Sequence, residues 1–416
     1  MSVLGRRGRW VSVTLFVAAA VVACSDDDGD GATGDTGSMP STTVVARSTT
    51  TGPTASATSP PTTSPTTTGS TGAVSTTPGA SPGAFPDQPP GVPWPTEEWA
   101  EAPWPDGVDE AAIDAATDTA FNGGAVERVR AVVIVHGGAI VYERYSPNPS
   151  DSRDEVMPSY SIAKGVTSAM VGILVRDGGL DIDDPAPVPE WHVDPNDPRA
   201  AITVRHMLHM ATGIPWDDGQ LNVGSEMYEM VRSDDAAAYA AALHPTAAPG
   251  ERFDYSSGTT TLLARIIGDE VGEGPDTLRA FLHDELFDKI GMAPVRTVFD
   301  RAGTWQGAYS ADTTPRDYAR LGLLYVRGGE WDGEQILPEA WLEFSRTPSP
   351  ASAEYGAHWW LDPLRPGVSY AVGILGNVMT VDPAHDLVIM QTGTVAGQLP
   401  LQLTETILNA FAAREG

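Results

Sequence analysis

From residue 109 onward, apolar positions recur with two alternating periods. Residues 109–121 carry apolar side chains at helical spacing behind Asp109, which predicts a first helix. Residues 130–135 and 139–145 are apolar runs split by Gly137-Gly138, the pattern of a β-hairpin. An apolar helix follows over 161–175 and stops at Gly178-Gly179. Residues 181–191 are turn-rich, Thr203 caps a short helix over 204–210, and the alanine-rich stretch 225–243 is helical. Residues 249–258 form a loop leading into a helix that runs through Ile267. Further helices are predicted over 276–290 and from Thr314-Pro315 to Gly328-Gly329. After Pro350 the pattern turns to strands, over 355–361, 369–381 and 386–392, with Gly373 and Gly376 inside the second. A helix over 401–413 follows. Strands toward both ends with helices between predict an α/β fold of the α+β type. It has one antiparallel sheet built from both parts, flanking helices and an inserted helical region.

The first 95 residues break this pattern. Arg6, Arg7 and Arg9 precede an apolar run, 11–23, too short to span a membrane comfortably. It ends Val21-Val22-Ala23-Cys24 and resembles a bacterial lipoprotein signal, in which Cys24 becomes the lipidated first residue. The plainer alternative is an ordinary secretory peptide with an incidental cysteine. Cys24 is the single cysteine of the chain, so no internal disulfide forms. Ser, Thr, Pro, Gly and Ala dominate the stretch after it, which cannot bury enough apolar surface to offset its ordering entropy. The expected organisation is a signal at 1–23, a disordered linker at 24–95 and a folded domain at 96–416. The domain would be exported and held at the cell surface by a lipid. A formal net charge of −30 argues against a nucleic-acid partner.

The candidate chemistry centres on Ser161 and Lys164. Three residues apart at a helix start, they share one face about a turn apart. A serine hydroxyl is a poor nucleophile until a nearby base takes its proton, and an amine held neutral by burial can do so. Serine-x-x-lysine is common by chance. Here, however, 25 basic residues include two lysines, Lys164 and Lys289, and one of them sits in an apolar helix. Arginine could not serve, because it keeps its proton. The bland alternative is a surface lysine whose stem covers apolar neighbours.

Five segments in order strengthen the case. They are Ser161-Ile162-Ala163-Lys164, residues 202–213 (ITVRHMLHMATG), 253–258 (FDYSSG), 313–322 (TTPRDYARLG) and 373–383 (GILGNVMTVDP). Together they resemble the serine β-lactamase and penicillin-binding-protein superfamily, and within it the class C-like esterases and 6-aminohexanoate-dimer hydrolases. The resemblance spans about residues 125–413. It implies that fold, with Ser161 as nucleophile, Lys164 as its proton partner and Tyr255 as acid/base. As a phenolate, Tyr255 would need its pKa lowered by nearby positive charge. It further implies an oxyanion hole from the backbone N–H groups of Ser161 and Ile374. Two departures stand out. The tyrosine motif ends in Ser257 where class C enzymes have Asn, so Ser257 becomes a candidate substrate contact, as does Gly373. The third motif carries no lysine, and Arg365 is the candidate to replace its charge.

Weaker candidates read as structure. His206 and His209 lack a third metal ligand in the pattern, and His136, His358 and His385 show no triad spacing. Trp216, Trp305, Trp359 and Trp360 read as core or cleft rim, and the acidic clusters 181–184 and 217–218 as solvated loops. The expected function is a serine hydrolase acting on a small ester or amide, without metal or organic cofactor. Two alternatives stay open: an acyl-trapping or binding-only sensor on the same scaffold, and a β-lactamase or D-Ala-D-Ala carboxypeptidase.

Overall fold

The structure, a computed structural model, describes residues 84–122, 129–219, 222–272, 274–394 and 399–413. Helix α1 (Glu110–Phe121) starts at Asp109, whose carboxylate accepts from the Ala112 N–H. Strands β1 (Val129–His136) and β2 (Ala139–Tyr145) form the expected hairpin. Gly137 and Gly138 both take positive φ, 60° and 74°, as a two-residue turn requires. One 3₁₀ turn, Tyr160–Ile162, opens into α2 (Ala163–Arg176). The helical middle holds α3 (Val204–Leu208), α4 (Glu226–Arg232), α5 (Ala236–Ala241), α6 (Ser257–Val271) and α7 (Pro275–Leu282). Helix α8 (Pro315–Val326) is followed by a small hairpin of β3 (Glu330–Trp331) and β4 (Glu334–Gln335), then α9 (Glu339–Ser345). Strands β5 (Trp360–Leu361), β6 (Ser369–Val372), β7 (Val378–Asp382) and β8 (Leu387–Gly393) lead to α10 (Leu399–Ala412).

Six strands make one antiparallel sheet in the order β2-β1-β8-β7-β6-β5. The N-terminal hairpin meets the C-terminal strands where β1 pairs with β8. Both faces are buried, and the period of two sorts the side chains between them. Val132, Ile134, Leu387 and Ile389 face α1 and α10, with Ile113, Ile407 and Phe411. Val133, Val135, Val388 and Met390 face α2 and α8. Each such side chain contributes about 1.5–3 kcal/mol by burial. Helix α2 is buried on all sides from Ala163 to Leu174, so its N-terminus has little freedom to move.

Where the elements differ from expectation, local chemistry explains it. The alanine-rich stretch splits into α4 and α5 because Asp235 caps a new helix, accepting from the Ala238 N–H. The predicted strand 369–381 breaks into β6 and β7 at Gly373–Gly376, where Leu375 takes φ 60°. The strand predicted over 355–361 shrinks to β5 because Tyr355 bridges back to Trp360. The helix predicted over 276–290 ends at Leu282 and runs into a π turn, His283–Phe287. Helix α9 and the β3–β4 hairpin carry too few residues to stand out in the pattern.

Residues 84–95, assigned above to the linker, pack on the domain. The Arg346 guanidinium lies 4.0 Å from the Phe85 ring, Trp94 packs on Trp331 at 5.1 Å, and Arg320 Nε donates to the Pro95 carbonyl at 2.6 Å. Two isolated aromatics anchor a stretch whose composition otherwise reads as linker. The predicted signal, Cys24 and the rest of the linker lie outside the described residues.

Candidate active site

The nucleophile turn is built before the helix begins. Ser159 donates its N–H to Asp312 Oδ1 at 2.8 Å, and its hydroxyl accepts from the Ala311 N–H at 3.0 Å. Tyr160 takes φ 44°, unusual for a bulky residue, and turns the chain sharply into Ser161. Ser161 stays half-buried, while Lys164 is 1% exposed. Lys164 Nζ lies 3.1 Å from Ser161 Oγ, 3.0 Å from Ser257 Oγ and 3.0 Å from the Ala308 carbonyl oxygen. These partners are two hydroxyls and a carbonyl, with no carboxylate among them. Burial therefore decides the amine's proton affinity. It lowers the pKa to about 8, against a smaller opposing pull from Asp218.

Tyr255 comes from the loop before α6. Its ring stacks on Trp360 at 5.5 Å, meets Tyr355 edge-on at 6.1 Å, and holds Lys164 Nζ over its face at 4.8 Å. Burial pushes the phenol pKa well up, Asp218 adds to this, and the nearby Ser161 hydroxyl only partly opposes it. Lowering by positive charge, expected above, does not occur, so Tyr255 rests as a neutral phenol. The amine beside it gives up its own proton near pH 8, and the desolvation of a phenolate outweighs what remains.

The end of β6 closes the site from the sheet. A Cβ on Gly373 would lie 2.9 Å from the Ser159 carbonyl oxygen and 3.1 Å from Tyr160 Cβ, so only glycine allows this approach. The Gly373 N–H is committed to the Asn377 carbonyl at 2.8 Å. The N–H groups of Ser161 and Ile374 donate to no group among the described residues. Both N–H groups are therefore uncommitted among the described residues. Ser257 departs from its expected place. It is buried at 2% exposure and holds the lysine amine, so it orients the base and is not a surface for substrate.

Arg365, the candidate to replace the third-motif charge, is engaged elsewhere, and so is the second lysine, Lys289. Arg365 binds Asp362, Glu405 and Asn409, and Lys289 binds Glu285 and Glu334. The histidines are structural. His206 completes the capping box of α3, His209 packs on Phe344 with burial lowering its pKa to about 4, and His358 bridges the Leu208 carbonyl and Thr260. No group of three metal-ligating side chains occurs among the described residues. Trp305 and Trp359 are core, whereas Trp216 and Trp360 stand at the site.

Sequence reasoning missed Asp218. It was read as solvated, yet it accepts from Trp216 Nε1 at 2.7 Å and its charge reaches Lys164 and Tyr255. The available signal was the tryptophan two residues before it, a large apolar side chain on an otherwise polar loop.

This fold and site define a β-lactamase-type protein, and comparison with known proteins agrees. The model of the Beta-lactamase family matches residues 110–404, most of the chain. The chain belongs to that family and is a hydrolase of the β-lactamase fold. It is 25% identical over 289 residues to a 6-aminohexanoate-dimer hydrolase of Paenarthrobacter ureafaciens, covering 63% of this chain and 71% of that one. Among solved structures, it resembles an octameric penicillin-binding protein homologue of Pyrococcus abyssi. There the TM-score is 0.58 at 18% identity, over 73% of this chain and 77% of that one. EstA from Arthrobacter nitroguajacolicus Rue61a gives a TM-score of 0.56 at 18% identity, over 73% and 96%.

Proposed function

We propose that the protein is a serine hydrolase that opens an ester or amide bond through an acyl-enzyme on Ser161. The observation that carries this reading is a buried lysine with its amine 3.1 Å from Ser161 Oγ and no carboxylate bonded to it among the described residues. Neutral Lys164 takes the Ser161 proton as Oγ bonds to the substrate carbonyl carbon. The N–H groups of Ser161 and Ile374 hold the oxyanion. The tetrahedral intermediate collapses, the bond to the leaving group breaks, and Tyr255 gives its hydroxyl proton to that group. Lys164, whose ammonium sits over the Tyr255 ring, then returns a proton to the phenolate. Water then attacks the acyl carbon by the same route, freeing the acid and Ser161.

Arg365 and Lys289 are both engaged, so neither meets a substrate carboxylate as the third-motif lysine of β-lactamases does. A lost charge-assisted contact costs about 1.5–3 kcal/mol, roughly 10- to 150-fold in specificity. Uncharged small esters should therefore outrun nitrocefin. In the test, protein from residue 84 onward is assayed with 4-nitrophenyl acetate and nitrocefin, beside fluorophosphonate labelling of wild type and Ser161→Ala. Steady ester release, slower nitrocefin turnover and loss of labelling in the variant are expected. A single burst without turnover would assign an acyl-trapping sensor instead, and undiminished labelling would move the nucleophile elsewhere.

Export and lipid anchoring at Cys24 belong to the same proposal, supported by the basic start, the short apolar run and the Val-Val-Ala-Cys ending. Cys24→Ser in the full chain should move the protein from membrane to soluble fraction. Unchanged membrane association would overturn the anchor.

A further inference from the structure

We propose that Asp218 makes this site selective for substrates carrying a positive charge, an ammonium or quaternary ammonium group, close to the scissile ester or amide. The inference rests on the serine-hydrolase reading and names the substrate class within it. Asp218 is fixed beside the reactive groups by a short chain of contacts. Its Oδ1 accepts from Trp216 Nε1 at 2.7 Å. The Trp216 ring lies so close over Gly258 that a Cβ there would meet it at 2.3 Å. Gly258 directly follows Ser257, which holds the Lys164 amine. The loop before α4 is thus anchored on the first turn of α6, next to the base.

The two neighbouring carboxylates have different employment. Asp217 closes its own loop, accepting from the Gly219 N–H at 2.8 Å. Asp218 forms no ion pair among the described residues, and its Oδ2 accepts no hydrogen bond from them. Its charge acts on Lys164, Tyr255 and Tyr355, so it lies within electrostatic reach of the reactive groups. The same site presents partly exposed aromatic rings. Trp360 stacks on Tyr255 at 5.5 Å and meets Phe253 edge-on at 6.0 Å, and Trp216 is also partly open. A carboxylate with no ion partner among the described residues, set among aromatic rings, suits a cation, because charge and ring quadrupoles attract it together. The same field disfavours an anion, in keeping with the missing third-motif lysine.

The experiment compares acetylthiocholine with its neutral carbon isostere, S-(3,3-dimethylbutyl) thioacetate, each kcat/KM divided by the spontaneous hydrolysis rate of that ester. Wild type should favour the cation by roughly tenfold, a size set by one carboxylate and cation–π contact. Raising salt from 20 mM to 0.5 M should cut that ratio by about two- to threefold, since the field is partly open to solvent. In Asp218→Asn the ratio should fall below about twofold at low salt, on the same electrostatic ground. A ratio is independent of how much of the variant is folded, so poor yield does not blur the outcome. Turnover of both thioesters without preference in wild type, or a preference unaltered in Asp218→Asn, would overturn this inference and leave the hydrolase reading standing. No turnover of either, with Ser161 unlabelled by a fluorophosphonate, would overturn both.

Discussion

The chain's two lysines stand in opposite surroundings. Lys164 lies inside α2, 1% exposed, among hydroxyls and a carbonyl. Lys289 follows the π turn after α7, with its side chain 24% exposed and paired to Glu285 at 3.2 Å and Glu334 at 2.6 Å. Burial lowers the proton affinity of both, but at Lys289 the bonds to Glu334 and Glu285 outweigh it and the pKa rises. At Lys164 no carboxylate among the described residues answers burial at bonding distance, and the pKa falls to about 8. What makes a lysine a base is therefore the exclusion of carboxylates from its contact shell, not burial by itself.

Exchanging the chemistry of the two positions tests this most severely. Lys164→Arg retains charge and length but cannot give up its proton, so kcat should fall on the order of 10⁴-fold or more at every pH. In wild type the active form is the neutral amine, and its pKa is lowered. Thus kcat/KM should climb about tenfold per pH unit below pH 8 and level off above it, as a single ionisation requires. A flat wild-type profile between pH 6 and 8, or an arginine variant that recovers activity at high pH, would break the contrast.

Tyr255→Phe probes the phenol that lies between the amine and the leaving group. Loss of a proton donor should cut kcat by about two to four orders of magnitude, with ester substrates of good leaving groups least affected. A variant within threefold of wild type on a poor leaving group would remove Tyr255 from the proton path. The mildest expected change is at the other lysine. Lys289→Met should leave kcat/KM within about twofold and lower Tm by about 1–3 °C, as a partly exposed ion pair contributes up to about 1 kcal/mol. Activity loss beyond tenfold there would mean that the two regions are not independent.

Much of the fold was legible because its signals are local. The Gly137-Gly138 turn, the Asp109, Thr203 and Thr314 caps and the apolar runs of β1 and β8 depend on neighbours in sequence. The close approach of Gly373 to the Ser159 carbonyl and the anchoring of Phe85 and Trp94 depend on partners far along the chain. The site divides in the same way. Spacing alone brings Ser161 and Lys164 onto one helical face, and the choice of lysine in an arginine-rich chain marks it as chemical. Sequence could not show that Ser257 turns inward to the amine, or that Tyr255 rests protonated. Nor could it show that Asp218 is held over the site by a tryptophan packed on Gly258. Residue type sets which protons a side chain can exchange. Whether it does so near neutral pH depends on the water and charge left around it, and those come from segments that only tertiary packing brings together.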